Sequence, residues 1–325
     1  MIFKKNNLKQ PFFIAEAGSN FNQSLEIGKK LIYIAKVSGA SAIKFQLFNS
    51  KVLYPNNKKM FKIFKQNELS KTMFKKFKSY GDKIKIDVFA SAFDIGSLKF
   101  LEKCRVKYHK VASSELTNLK LINYLSKIKK PIILSTGMSE LNDIQNAIDI
   151  LSKKNQKLII LQCGAVYPLK YNKNNLNVLK EYKKFKFPIG LSDHSLDNIA
   201  AITAVGLGAQ VFEKHFTLSK KMIGPDHSYA MEPKELKNYF TSLRSAFLCL
   251  GSQKKKLLFE EKSTSRRKGL YFKNTFKKGQ KLKKRDFVLI SPPLGLLPNN
   301  MDKILSKKLS RNVKKNNPVF LKDFK

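Results

Sequence analysis

Four histidines occur in the chain, His109, His194, His215 and His227. His194 closes one strand-like run (188–192, with two more polar residues) and His215 closes the next (210–215). Neighbouring strands lie about 4.8 Å apart. Imidazoles at adjacent strand tips can therefore share one divalent metal ion, with water in a third position and an open site for a substrate. Two unrelated histidines are the plain alternative. His109 sits beside Lys110 inside a run and reads as structural. His227 falls in a loop, where it is either a substrate contact or without a role.

The other polar residues repeat this placement. Glu16, Lys44, Gln46, Ser91, Lys110, Ser113, Ser135, Ser192 and the triplet Glu213 to His215 stand at, or just beyond, the C-terminal ends of apolar runs. Packing accounts for one polar strand end, not for one on nearly every strand. Carboxylate, lysine, hydroxyl and imidazole together suit an anionic substrate and proton transfer.

Eight short runs carry these residues: 12–16, 42–47, 87–91, 107–112, 131–135, 158–163, 188–192 and 210–215. Amphipathic segments alternate with them. Two of these, 24–38 and 139–153, open on serines placed as N-caps, Ser24 and Ser139. Strand–helix alternation predicts a parallel sheet. Eight such units in about 250 residues predict an α/β fold closed as a (β/α)₈ TIM barrel over residues 1–250, with its site on the rim at the strands' C-terminal ends. A doubly wound open sheet is the alternative. Residues 251–262 read as a charged linker, helical at its start. Residues 263–325 read as a small second domain, with strands near 270–272 and 287–290 and a turn at 277–280.

Composition narrows the partners. Among 325 residues, 64 Lys and Arg oppose 23 Asp and Glu, a formal charge of +41. Nucleic acid is the first partner to test. The lysines are spread over nearly every predicted helix, and Lys outnumbers Arg, the usual base reader. Abundant Lys and Asn are also what an AT-rich genome encodes. No specific nucleic-acid role is expected, although the charge should draw in anionic substrates. No apolar run approaches the roughly 18 residues of a membrane span. Residues Met1 to Lys5 lack the pattern of a signal peptide. The three cysteines, an odd number, are widely spaced. A reduced, cytoplasmic protein is expected.

The segments Phe13-Ile14-Ala15-Glu16-Ala17-Gly18-Ser19-Asn20, Ile43-Lys44-Phe45-Gln46, Lys110-Val111-Ala112-Ser113, Leu134-Ser135-Thr136-Gly137-Met138, Gly190-Leu191-Ser192-Asp193-His194, Glu213-Lys214-His215-Phe216-Thr217 and Gly224-Pro225-Asp226 resemble, in order, the N-acetylneuraminate (sialic acid) synthase family. That family includes legionaminic and pseudaminic acid synthases. Residues 263–325 resemble its antifreeze-like (SAF) domain. The resemblance implies condensation of phosphoenolpyruvate with an N-acetylmannosamine-like amino sugar to give a nine-carbon 2-keto acid and phosphate, for surface glycans. A pseudaminic acid synthase, or a Schiff-base aldolase or lyase using Lys44 or Lys110, is the alternative.

The resemblance also implies roles. Lys44, Gln46, Ser91, Lys110, Ser113, Ser135 and Ser192 would bind phosphoenolpyruvate. Glu16, Tyr167 and Asp226 would bind the sugar, with Glu16 also moving a proton. His194 and His215 would hold a divalent ion, typically Mn²⁺, with Mg²⁺ or Co²⁺ as substitutes. A domain-swapped homodimer would carry Arg267, with Arg266 as runner-up, into the partner's sugar pocket. The sequence departs from the family pattern in several places, the third strand's Ala90-Ser91-Ala92-Phe93 among them. Phe21 replaces a histidine, Ala165 replaces an amide or hydroxyl residue, and the loop 49–59 is short and basic.

Overall fold

Runs rich in Ile, Val, Leu and Phe, bounded by polar or glycine-containing turns, fold into strands. The segments between them repeat apolar residues at helical spacing. In the computed structural model, which describes residues 10–153, 157–263 and 266–325, eight strands close in sequence order into a parallel barrel. They are β1 (Phe12–Gly18), β2 (Ala42–Leu47), β3 (Asp87–Ala92), β4 (His109–Val111), β5 (Ile132–Ser135), β6 (Leu158–Cys163), β7 (Ile189–Asp193) and β8 (Val211–His215). The open-sheet alternative is excluded, because β1 pairs with both β2 and β8.

The helices follow in order: α1 (Leu25–Val37), α2 (Ser50–Leu53), α3 (Lys58–Gln66), α4 (Lys71–Ile84), α5 (Ile95–Lys103), α6 (Leu119–Leu125), α7 (Leu141–Ser152), α8 (Val178–Tyr182), α9 (Ile199–Gly206) and α10 (Pro233–Cys249). Ser24 caps α1, accepting from the Ile27 amide. The expected cap at Ser139 moves one residue. Glu140 caps α7 in a reciprocal box with Asp143, whose carboxylate accepts from the Glu140 amide. The predicted loop 49–59 is also corrected: it holds α2 and runs into α3, each capped by an asparagine, Asn49 and Asn57.

Side-chain alternation divides every strand. Outward residues such as Phe13 and Phe45 pack on helices, and Phe13 stacks on Phe240 of α10 at 4.6 Å. Inward residues fill the lower barrel with rings. Tyr108 meets Phe12 at 5.4 Å and Phe89 at 5.7 Å between centroids. Two residues further along each strand the inward side chains become polar: Glu16 above Ile14, Ser91 above Phe89, Lys110 above Tyr108. The apolar plug below makes that layer the floor of a site.

The chain divides after Gly251. The second unit begins with a helical turn, α11 (Phe259–Ser263), so the helical part of the 251–262 segment lies at its end rather than its start. An antiparallel pair, β9 (Gly269–Phe272) and β10 (Phe287–Ile290), and a short α12 (Asp302–Leu305) enclose a small core of Leu270, Phe272, Phe287, Leu309, Val319 and Phe324, among others. The buried Asp323 accepts from Arg311 at 2.7 Å. Residues 1–5, read above for a signal peptide, lie outside the described residues. Among the described residues, no helix is long and apolar enough to cross a membrane.

Candidate active site

Register places the polar layer. Glu16 is paired with Lys44 on one side and with His215 on the other, Gln46 with Ser91, Ser91 with Lys110, and Ser192 with Glu213. Lys44 becomes the hub. Its ammonium lies 2.6 Å from Glu16 Oε2 and 3.7 Å from Glu213 Oε2, and it donates to Ser91 Oγ at 3.0 Å. Gln46 donates to Glu16 Oε1 at 3.2 Å. Lys110 donates to Ser135 Oγ at 2.7 Å and to the Val111 carbonyl at 2.8 Å. Ser192 donates to Glu213 Oε1 at 2.9 Å.

All these lysines and carboxylates are buried, and burial sets their titration. It raises Glu16 to about 7, helped by the Glu213 charge and opposed by Lys44. Glu213 is also desolvated, yet Lys110 and Lys44 hold it below the ordinary carboxylate range. Burial alone would lower Lys44, but its two carboxylate neighbours raise it. Burial lowers Lys110 despite Glu213, and Lys44 adds to the effect.

Two cavities open on this layer. The inner one, about 470 Å³, is lined by Lys44, Lys110 and the serines 91, 113, 135 and 192. It concentrates ammonium and hydroxyl donors, the complement of a small phosphorylated carboxylic acid. The outer cavity, about 430 Å³, is lined by Asp226, Ser228, Tyr229 and Asn67 together with Phe48 and Phe64. Gln46, Phe64, Tyr167 and His215 line both.

The two rim histidines stand where the cavities meet, ring centroids 5.4 Å apart. The Gly164 carbonyl accepts from His194 Nδ1 at 2.6 Å, so in the neutral ring Nε2 carries the lone pair. Burial disfavours the charged ring, but Cys163 and the Gly164 carbonyl outweigh it and raise the pKa. His215 is driven well below its ordinary pKa by burial and by the cations around it. It is neutral at pH 7. Its buried Nδ1 has no hydrogen-bond partner among the described residues and lies 4.0 Å from Asp226 Oδ2. Among the described residues no group of three or more His, Cys, Asp or Glu could hold a metal ion. Two imidazole nitrogens with room for water and a substrate oxygen still fit a divalent ion with open positions.

Tyr167 lies over His194, centroids 4.1 Å apart, and 5.1 Å from Tyr229. Tyr229 donates to Asp226 Oδ1 at 2.6 Å. Gly18, at φ +51°, occupies the left-handed region that favours glycine, and a Cβ there would stand 2.7 Å from Asp226 Oδ2 and displace that carboxylate. Ser113 is half-buried, and its Oγ accepts from the Gly137 amide at 3.0 Å. Glu16, Lys44, Gln46, Ser91, Lys110, Ser113, Ser135, Tyr167, Ser192, His194, His215 and Asp226 are therefore gathered on one rim. Arg266 and Arg267 are exposed residues of the second unit.

Glu213 was placed on the rim by the sequence but given no role, and Tyr229 was missed. Glu213 had a signal, being polar on a strand end two residues before His215. Tyr229 had none, because a loop tyrosine has no period. The two remaining histidines hold structure. His109 Nε2 meets Glu102 Oε1 at 2.7 Å. His227 bonds Thr217 Oγ1 at 2.6 Å and Asn22 Oδ1 at 2.9 Å, tying two rim loops together. Phe21 faces away from both cavities, buried against Phe45 and Phe77 at 6.2 and 5.7 Å. Ala165 lines the inner cavity with a methyl group.

Known proteins agree with this architecture. The NeuB family model matches residues 31–255. An uncharacterized protein of Methanocaldococcus jannaschii is 35% identical over 96% of this chain and 94% of its own. An N,N'-diacetyllegionaminic acid synthase of Legionella pneumophila is 34% identical over 93% and 91%. The crystal structure of an N-acetylneuraminic acid (sialic acid) synthetase from Leptospira borgpetersenii superposes with a TM-score of 0.75 at 33% identity, covering 79% of this chain and 90% of that one. By sequence and by fold, the chain belongs to the NeuB family.

Proposed function

We propose that the protein is a sialic-acid-type synthase that condenses phosphoenolpyruvate with an N-acylated amino sugar of the mannosamine type, releasing phosphate and a nine-carbon 2-keto acid. The observation that carries this reading is the division of one rim into two cavities. The inner cavity has cations and hydroxyls, the outer has polar and aromatic groups, and they meet at Gln46, Tyr167 and His215. The names of the relatives support the same chemistry.

Lys44 and Lys110 neutralise the phosphate and carboxylate of phosphoenolpyruvate, and the four serines donate hydrogen bonds to their oxygens. Gln46 holds the carboxylate. C3 of phosphoenolpyruvate attacks the sugar aldehyde, whose oxygen gains a proton. Water adds at C2, and the C2–O bond to phosphate breaks to leave the ketone. Glu16 is placed to exchange a proton, since its pKa of about 7 keeps both forms populated at neutral pH. Asp226 and Tyr167 orient the sugar.

His194 and His215 would hold a divalent metal ion, Mn²⁺ being the expected one. Such an ion supplies Lewis-acid polarisation of the aldehyde oxygen. A domain-swapped dimer bringing Arg267 or Arg266 to a partner's sugar remains part of the proposal. Light scattering tests the dimer, and an Arg267→Ala rise in sugar KM tests the contact.

Phosphoenolpyruvate labelled with ¹⁸O in the C–O–P bridge separates this reading from the Schiff-base alternative. The synthase sends the label into phosphate. A lyase using Lys44 or Lys110 instead yields a borohydride-trapped mass adduct and no labelled phosphate.

A further inference from the structure

Tyr229 lies in a loop outside the strands and helices, yet its place is fixed from both sides. Two residues before it, His227 is buried and bonded to Thr217 and Asn22. Two residues after it, Met231 pairs with Phe216, and its amide donates to the His215 carbonyl at 2.9 Å. The Tyr229 ring packs on two others, its centroid 5.1 Å from that of Tyr167 and 5.5 Å from that of His215. The phenol is thereby delivered to one atom, Asp226 Oδ1, to which it donates at 2.6 Å. Burial and the Asp226 charge raise the phenol above the ordinary tyrosine range, so it keeps its proton. Among the described residues, no other group donates a hydrogen bond to Asp226.

Among the described residues, Asp226 is the only Asp, Glu, Lys or Arg that lines the outer cavity. An aspartate carboxylate left to itself turns broadly about χ2. With Oδ1 held by Tyr229, Oδ2 stays turned toward His215 Nδ1, 4.0 Å away, and toward the space that the missing side chain of Gly18 leaves open. Resting on the synthase reading above, we propose that Tyr229 is a positioning residue for the sugar: it fixes the Asp226 carboxylate so that Oδ2 accepts from one hydroxyl or amide N–H of the sugar. The loop pinned at His227 and Met231 holds the phenol in place before the sugar arrives, so little orientation is lost on binding. Tyr229 and Asp226 line the outer cavity and not the inner one, so the effect is confined to the sugar and spares phosphoenolpyruvate.

The test uses the full chain with phosphoenolpyruvate, Mn²⁺ and, in separate series, N-acetylmannosamine and 2,4-diacetamido-2,4,6-trideoxymannose. Tyr229→Phe keeps the ring and its packing and removes only the hydroxyl. It should raise the sugar KM about tenfold or more, the effect of losing a hydrogen bond to a charged group. The KM for phosphoenolpyruvate, the affinity for Mn²⁺ and Tm should stay at the parent's values, and kcat should change far less than the sugar KM. Asp226→Ala should raise the sugar KM further. In the Asp226→Ala background, Tyr229→Phe should add nothing, because the phenol acts only through that carboxylate. A tyrosine that merely supports the loop would lower Tm and add its effect in both backgrounds. An unchanged sugar KM in Tyr229→Phe, additive effects in the double variant, an equal rise in the KM for phosphoenolpyruvate, weakened Mn²⁺ binding or loss of the fold overturns this inference and leaves the synthase reading standing. No turnover of either sugar by the parent protein overturns both.

Discussion

Lys44 and Lys110 look alike in the sequence, each in an apolar strand, and the structure gives them opposite energetics. Lys44 separates two buried carboxylates. Lys44→Met would leave Glu16 without its cation and Glu213 with only Lys110 to offset its charge, a loss of about 3–5 kcal/mol. At about 2–4 °C per kcal/mol for a barrel of this size, differential scanning calorimetry at pH 8 should show Tm falling by roughly 6–20 °C. Lys110 has no carboxylate within ion-pairing distance among the described residues, and burial depresses its pKa. Lys110→Met should lower Tm by less than Lys44→Met, because Lys110 helps hold the Glu213 charge while its own charge is opposed by burial. Both variants should raise the KM for phosphoenolpyruvate, so only the stability readout separates them. Glu16 gives a pH signature. Its folded pKa of about 7 lies above the ordinary glutamate value of 4.5, so it is protonated below pH 7 and charged above. If its carboxylate takes the proton, kcat/KM for the sugar rises with pH through about 7 and is level above. In Glu16→Gln the step should vanish and the rate fall about 10²–10⁴-fold, as a pH–rate series from 5.5 to 9 would record.

The outer faces of the strands matter as much as the inner ones. Lys214, between the inward Glu213 and His215, points the other way and is buried. It donates to Asp193 Oδ2 at 2.9 Å and to the carbonyl of Ser195, and Tyr239 of α10 donates to the same Asp193 oxygen at 2.8 Å. Asp193 Oδ1 accepts from the Ser195 amide and hydroxyl at 2.9 and 2.6 Å. His194 thus sits between two residues clamped from behind. Lys214→Met should unfold readily, since Asp193 is left charged and buried. The pair Lys214→Met with Asp193→Leu should regain stability, because apolar replacement of a buried ion pair is often neutral. Without the clamp, Mn²⁺ affinity measured by titration calorimetry should still be weaker than in the parent. Phe21 shows what strand and loop context does to a motif residue. Restoring histidine there would bury an imidazole among Phe45 and Phe77, so Phe21→His should lower Tm by several degrees and leave the rate no higher.

At the scale of the molecule, the barrel and most of its rim were legible because both obey a period. Strand–helix alternation gives the closed sheet, and alternation within strands turns Glu16, Lys44, Ser91, Lys110, Ser192 and His215 to one end of one interior. What lacked a period was missed or misplaced. Loop residues such as Tyr229 meet the site only after the chain folds back. The segment 49–59, which holds α2 and the start of α3, was read as a loop because its lysines and asparagines mask any apolar period. The cap of α7 slipped from Ser139 to Glu140 because two neighbouring residues can both accept from a first turn. The excess of lysine stayed uninformative, since the lysines that face the cavities are few and buried. The most direct measurement is phosphate release by the purified protein with phosphoenolpyruvate and Mn²⁺, with and without amino sugar, read together with product mass. Sugar-dependent release, abolished by thorough chelation and by His194→Ala with His215→Ala, with a nine-carbon acid of matching mass, is the predicted result. Release that ignores the sugar, or no nine-carbon acid with any N-acylated mannosamine-type sugar, would contradict the synthase reading. Full activity after chelation would contradict the metal assignment alone.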